Sequence, residues 1–152
     1  CESIKCSAAP ELSPGVFSFL CILHCTLLRS VIQVIFTKVN PHVVFHLDVS
    51  EFPPNHSGWI VMDGMTQDTS GYLYVVVFGS NKILKICTRK WTIVERIETP
   101  CRFISSATFG GAKRNELYVT SVDLTNGTTS CGEIFRISGF TARGVPNESI
   151  EL

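Results

Sequence analysis

The sequence has no excess of charge of either sign: thirteen Lys and Arg residues balance thirteen Asp and Glu residues over 152 positions. Nucleic-acid binding draws on a basic surplus that displaces counterions from phosphates, so no nucleic-acid partner is expected. Charge is also sparse, at 17% against 45% hydrophobic residues, which excludes a disordered or collagen-like chain. A Gly-x-Ser-x-Gly run is missing around Ser105 and Ser106, so neither serine sits on a nucleophile elbow. Order is missing from the cysteines too. Cys1, Cys6, Cys21, Cys25, Cys87, Cys101 and Cys131 are odd in number and lack matched spacing, a poor disulfide framework. Cys21 and Cys25 flank His24, but no second ligand pair accompanies them to complete a zinc site. The expectation is partly buried thiols in a reducing compartment, and therefore a cytoplasmic protein.

Two unlike regions follow one another. Residues 15–36 are apolar over a length that would cross a bilayer. Arg29 near the middle costs roughly 2.5–3.5 kcal/mol on insertion, and His24 and Gln33 add polar groups, so a membrane span is not expected. A secretory signal would want a basic start and a small-x-small cleavage site, and neither is evident. Residues 1–42 are set apart as a segment unlike the rest, with a non-native stretch, a membrane or signal segment and a buried structural element all open. Residues 43–152 form the second region.

There the pattern is β. Val43–Leu47 reads as a strand and Glu51–Asn55 as a loop. After Asp63-Gly64-Met65-Thr66-Gln67-Asp68, a turn at Thr69–Gly71 leads into Tyr72–Phe78, rich in Tyr, Leu and Val. A hairpin turn at Gly79–Lys82 precedes Ile83–Ile86, and Trp91–Ile97 alternates apolar and polar residues as a half-buried strand would. Asp68 reads as the cap of the turn that follows it.

The pattern then repeats. Ser105–Phe109 is a short strand, and Gly110–Asn115 a turn. Leu117–Ser121 matches Leu73–Val77, and Glu133–Ile137 matches Lys82–Ile86 after a polar loop from Val122 to Cys131. The two Leu-Tyr-Val copies stand 44 residues apart. A period of about 40–45 residues with several short strands per unit marks propeller blades, each of which must bury two faces against neighbours. A small β-sandwich with two similar hairpins is the plainer alternative.

The run from Asp63 to Val75 resembles the Pro-Asp-Gly-Met-x-x-Asp-x-x-Gly-x-Leu-Trp-Val pattern of the SMP-30/regucalcin/gluconolactonase family, shared by the luciferin-regenerating enzymes. Ser105–Gly111 with Glu116–Ser121 is similar to that family's next blade. Gly132–Gly139 with Arg143–Pro146 is similar to its C-terminal strand. Met62 stands where the family has Pro. The resemblance implies an all-β fold, part of a six-bladed β-propeller, with about two blades and a further strand in residues 43–152. It implies a metal-dependent hydrolase of sugar lactones, also known in the family as a calcium-binding protein. The cofactor it implies is one divalent ion (Ca2+, or Zn2+, Mn2+ or Mg2+ for activity), and the small-molecule partner is a sugar lactone.

Of the family's Glu, Asn and Asp ligands, the Asp alone maps here, onto Asp63, as metal ligand and catalytic carboxylate. Such an ion would polarise the lactone carbonyl, and the carboxylate could accept a proton from the attacking water. Without the resemblance, Asp63 before Gly64 is simply a turn residue. Asp123 reads as solvated, and His42, His46 and His56 as surface or packing residues. The other function class is a propeller that binds Ca2+ or a protein partner without turnover, which the fold alone does not separate from an enzyme.

Overall fold

The computed structural model describes residues 30–34, 42–52, 60–124, 127 and 130–146. The expectations placed on residues 1–29 and 35–41, on His42 and His56 as side chains and on the loop beyond Phe52 lie outside what is described. Nine strands run in chain order: β1 (Ser30–Val34), β2 (His42–Leu47), β3 (Val61–Gln67), β4 (Tyr72–Phe78), β5 (Lys82–Cys87), β6 (Thr92–Glu98), β7 (Ile104–Gly110), β8 (Glu116–Ser121) and β9 (Ile134–Ile137). They form three antiparallel sheets, β1-β2, β3-β4-β5-β6 and β7-β8-β9. No α-helix occurs among the described residues.

The central sheet is covered on both sides, and its sequence says why. In β4, Leu73, Val75 and Val77 point to one face, where they join Phe45, Leu47, Phe52 and Met62 in a first core. Tyr74 and Val76 point to the other, joining Ile104, Ala107, Phe109, Leu117 and Val119 in a second. A strand buried on both faces reads as an unbroken apolar run, as Tyr72–Phe78 does. Four strands joined by short hairpins, stacked face to face with sheets before and after, are the layout of consecutive propeller blades. The repeat read from the sequence is therefore a repeat in space.

One alternation breaks. Lys85 pairs with Glu95 and Ile86 with Ile93, so Val94 is an extra residue in β6 and stands 51% exposed. Ile93 then packs on the first core and Ile97 on the second. A bulge inserts one residue and flips the faces beyond it, which the even period of Trp91–Ile97 did not foretell.

The blades are stitched at both ends. At the end where β3 begins, Gly79 N–H donates to Arg102 O (2.7 Å) in the connection leading to β7, while the bonds from Thr99 N–H to Asn81 O (2.9 Å) and from Val122 N–H to Phe103 O (2.8 Å) extend the pairing within each blade. At the other end the segment after β9 returns to the seam: Thr69 N–H donates to Arg143 O, Gly144 N–H to Arg114 O (both 2.8 Å) and Val145 N–H to Gln67 O (3.1 Å). Gly144 is buried there, and a Cβ on it would lie 2.7 Å from Phe109 Cγ.

The cysteine expectation needs correcting. Cys101 and Cys131 are joined in a disulfide with Cα atoms 5.2 Å apart, both side chains buried. The loop before β7 and the loop before β9 are brought together because β7 and β8 are neighbours and run in opposite directions.

Candidate functional site

β3 opens with an irregularity. Met62 pairs with Val77 and Met65 with Val75, so Asp63 and Gly64 are squeezed into the space of one partner residue. Bulges of this kind re-aim side chains and are common beside active sites. Met62 is anchored in the first core at 1% exposure, and Asp63, next to it, is half-buried. Burial raises the Asp63 carboxyl above its ordinary value, and a hydrogen bond from the Gly64 amide offsets part of that rise.

Gly64 explains how near the next blade comes. An added Cβ would sit 2.7 Å from both Cα and Cβ of Ser106, so the first strands of the two blades meet almost backbone to backbone. The second blade has the same irregularity. Ile104 pairs with Ser121 and Ser106 with Thr120, which leaves Ser105 without an opposite residue. Counted from the pairs Met65–Val75 and Ala107–Val119, Ser105 and Ser106 occupy in β7 the place that Asp63 and Gly64 occupy in β3. Ser105 Oγ lies 2.9 Å from Thr120 Oγ1. These serines were dismissed from sequence for want of an elbow motif. Aligning Asp63-Gly64-Met65-Thr66 with Ser105-Ser106-Ala107-Thr108 was the signal that could have found them.

The long loop from Val122 to Cys131 belongs to this same end. The disulfide holds its far side against the β6–β7 connection. Ser121 Oγ accepts from the amides of Gly132 (3.0 Å) and Glu133 (3.1 Å), and Asp123 Oδ2 accepts from Gly127 N–H (2.8 Å). Asp123 is thus exposed and engaged within its own loop.

Asp68 lies at the opposite end of β3 and does structural work. It is 2% exposed. Its Oδ1 accepts from the amides of Ser70 (2.9 Å) and Tyr72 (3.0 Å), and Oδ2 from the Tyr74 hydroxyl (3.3 Å). The turn-capping expectation is met. Tyr74, buried and facing that carboxylate, is held firmly protonated. His46 is exposed, as expected of a surface residue.

Among the described residues, no three His, Cys, Asp or Glu side chains come together as a metal site. Asp63 is a single oxygen donor, whereas a hard divalent ion takes six to eight such ligands (Ca2+) or an octahedron (Mg2+). The described residues do not by themselves fit the ion. No described helix is long and apolar enough to cross a membrane.

Comparison with known proteins places these blades. Residues 30–123, more than half of the chain, match the family described as SMP-30/Gluconolactonase/LRE-like region. The match thus begins at β1, upstream of Val43. The chain is 28% identical to regucalcin of Danio rerio over 92 residues, covering 57% of this chain and 31% of that one. It is 30% identical over 82 residues to the putative sugar lactone lactonase YvrE of Bacillus subtilis, covering 54% and 25% respectively. A solved luciferin-regenerating enzyme superposes with a TM-score of 0.60 at 28% identity, over 74% of this chain and 37% of that one. The chain therefore spans less than a third of the length of the curated relatives it matches.

Proposed function

This chain belongs to the SMP-30/gluconolactonase/LRE-like family, and from that premise we propose that a complete propeller carrying these blades hydrolyses sugar lactones, with Asp63 as a metal ligand and acid–base carboxylate. The observation that carries the reading is the bulge at Asp63–Gly64, which sets a partly desolvated carboxylate at the meeting point of two blades. Likeness to a putative sugar lactone lactonase supports the substrate class.

The remaining donors for a divalent ion would come from outside the described residues. When bound, such an ion supplies Lewis-acid polarisation of the ester carbonyl. The chain's own residues do the rest of what can be assigned. Gly64 N–H donates to the Asp63 carboxylate and favours its ionised form. Burial raises its proton affinity, which suits it to take a proton from water attacking the ring. The absence of a Cβ at Gly64 lets Ser106 of the next blade approach closely at that point.

The test is hydrolysis of gluconolactone with Ca2+ or Zn2+ supplied, for this chain and for a complete propeller containing it. This chain alone is expected to be inactive, and Asp63→Asn in the complete propeller is expected to lower the rate by about 100-fold or more. Turnover by the isolated chain comparable with the complete propeller, or full activity in the Asn variant, would overturn the assignment. Calcium uptake seen by calorimetry without any lactone turnover would move the reading to a non-catalytic, cation-binding propeller.

A further inference from the structure

The charge balance of the whole chain hides a separation by end. Of the ten described Lys and Arg residues, Lys82, Lys85, Arg96 and Arg136 pair with Glu98, Glu95, Glu51 and Glu116. Arg102 lies over the Phe103 ring. Like Arg102 at the Asp63 end, the other five, Arg89, Lys90, Lys113, Arg114 and Arg143, have no carboxylate partner among the described residues. All five stand in the turns at the end opposite Asp63, in the β5–β6 turn, the β7–β8 turn and the segment after β9.

Three of them share a cavity. Thr69, Lys113, Arg114, Arg143 and Gly144 line a hollow of about 430 Å3 at the seam between the two blades. That is within the size range of small-ligand pockets, roughly 300–1,000 Å3. We propose that this hollow is an oxyanion-binding site, for a phosphate or sulfate group carried on a small molecule.

The backbone around it is fixed rather than free to spread. Thr69 N–H donates to Arg143 O and Gly144 N–H to Arg114 O, so all three contributing segments are tied to one another. Arg114 holds φ 52°, and its own N–H donates to Gly111 O at 3.0 Å, which locks the turn that presents it. Like charges gathered on a fixed frame repel unless an anion sits among them, and guanidinium groups match the geometry of tetrahedral oxyanions. The carboxylates at this end do not serve. Asp68 is spent on Ser70, Tyr72 and Tyr74, and Glu116 on Tyr118 (2.9 Å) and Arg136. Asp63 stands four residues from Gln67, where β3 ends, about 13 Å at strand rise, so the site is separate from it and stands whether or not the lactonase reading does.

The experiment is thermal unfolding of the chain titrated with inorganic phosphate and, in parallel, with sulfate, at constant ionic strength held with chloride. A saturable rise in melting temperature at millimolar anion is expected. The double variant Arg114→Gln with Arg143→Gln should weaken phosphate binding by about 10-fold or more, since each removes a charge-assisted donor. Its melting temperature without phosphate should not fall, because both side chains are exposed. The control pair Arg89→Gln with Lys90→Gln, at the same end but outside the hollow, should bind as the parent does. A response to sulfate but not phosphate assigns the sulfate ester, and the reverse assigns the phosphate. No saturable response to either, or equal loss in the control pair, would overturn the proposal in favour of diffuse electrostatics.

Discussion

Gly64 sits where no side chain fits, since a Cβ would fall 2.7 Å from the Ser106 backbone, which cannot yield as a flexible side chain could. Gly64→Ala is expected to destabilise the chain by about 1–3 kcal/mol, the usual cost of forcing extra volume into a close contact, and urea unfolding reads it as a lower midpoint. Its neighbour gives a pH signature. Because burial raises the Asp63 carboxyl, the folded chain binds that proton more tightly than the unfolded chain does. Stability therefore falls as pH rises from the ordinary carboxylate value through the raised one. Asp63→Asn does not titrate, so it should gain on the parent from about pH 3 to pH 7. The gain is small, because water screens a half-exposed group. Identical melting temperatures for both proteins across that range would refute it. The sequence named Asp63 through its surrounding motif. It did not reveal Gly64's role, because that glycine answers to a residue 42 positions away and not to a local turn.

Strands were legible wherever one face or both were uniformly apolar, as in β4 and β5, because burial repeats with the pleat. What escaped were interruptions of that period: the bulges at Asp63–Gly64, Val94 and Ser105, each set by pairing with a distant partner. The disulfide escaped for a related reason. Parity and spacing describe seven cysteines at once, whereas pairing depends on which two loops the sheet brings together. The Cys101–Cys131 bond closes a loop of sequence separation 30. On the chain-entropy account, opening it should cost roughly 3–4 kcal/mol. Denaturant midpoints should drop on adding reductant, and the double variant Cys101→Ala with Cys131→Ala should match the reduced parent and ignore reductant. A parent indifferent to reductant would contradict the bond.

Across the whole molecule, burial is uneven in a way hydrogen exchange can read. β4 lies between two hydrogen-bonded neighbours and two cores, with Tyr74 to Val77 at 0% exposure. β6 and β9 each pair on one side only within their sheets, and Ile134 is 70% exposed. Amides of β4 should therefore exchange slowest, and those of β6 and β9 fastest, since opening free energy follows local burial. Uniform protection across the strands would show that the sheets open as a single unit. The matched bulges of β3 and β7 reach furthest. Each wedge offers the same socket, filled with an acid in one and a hydroxyl in the other, and neither socket belongs to a core. New chemistry at this rim thus needs only a change of occupant: Ser105→Asp would set an anionic oxygen in the second socket at the expense of its contact with Thr120.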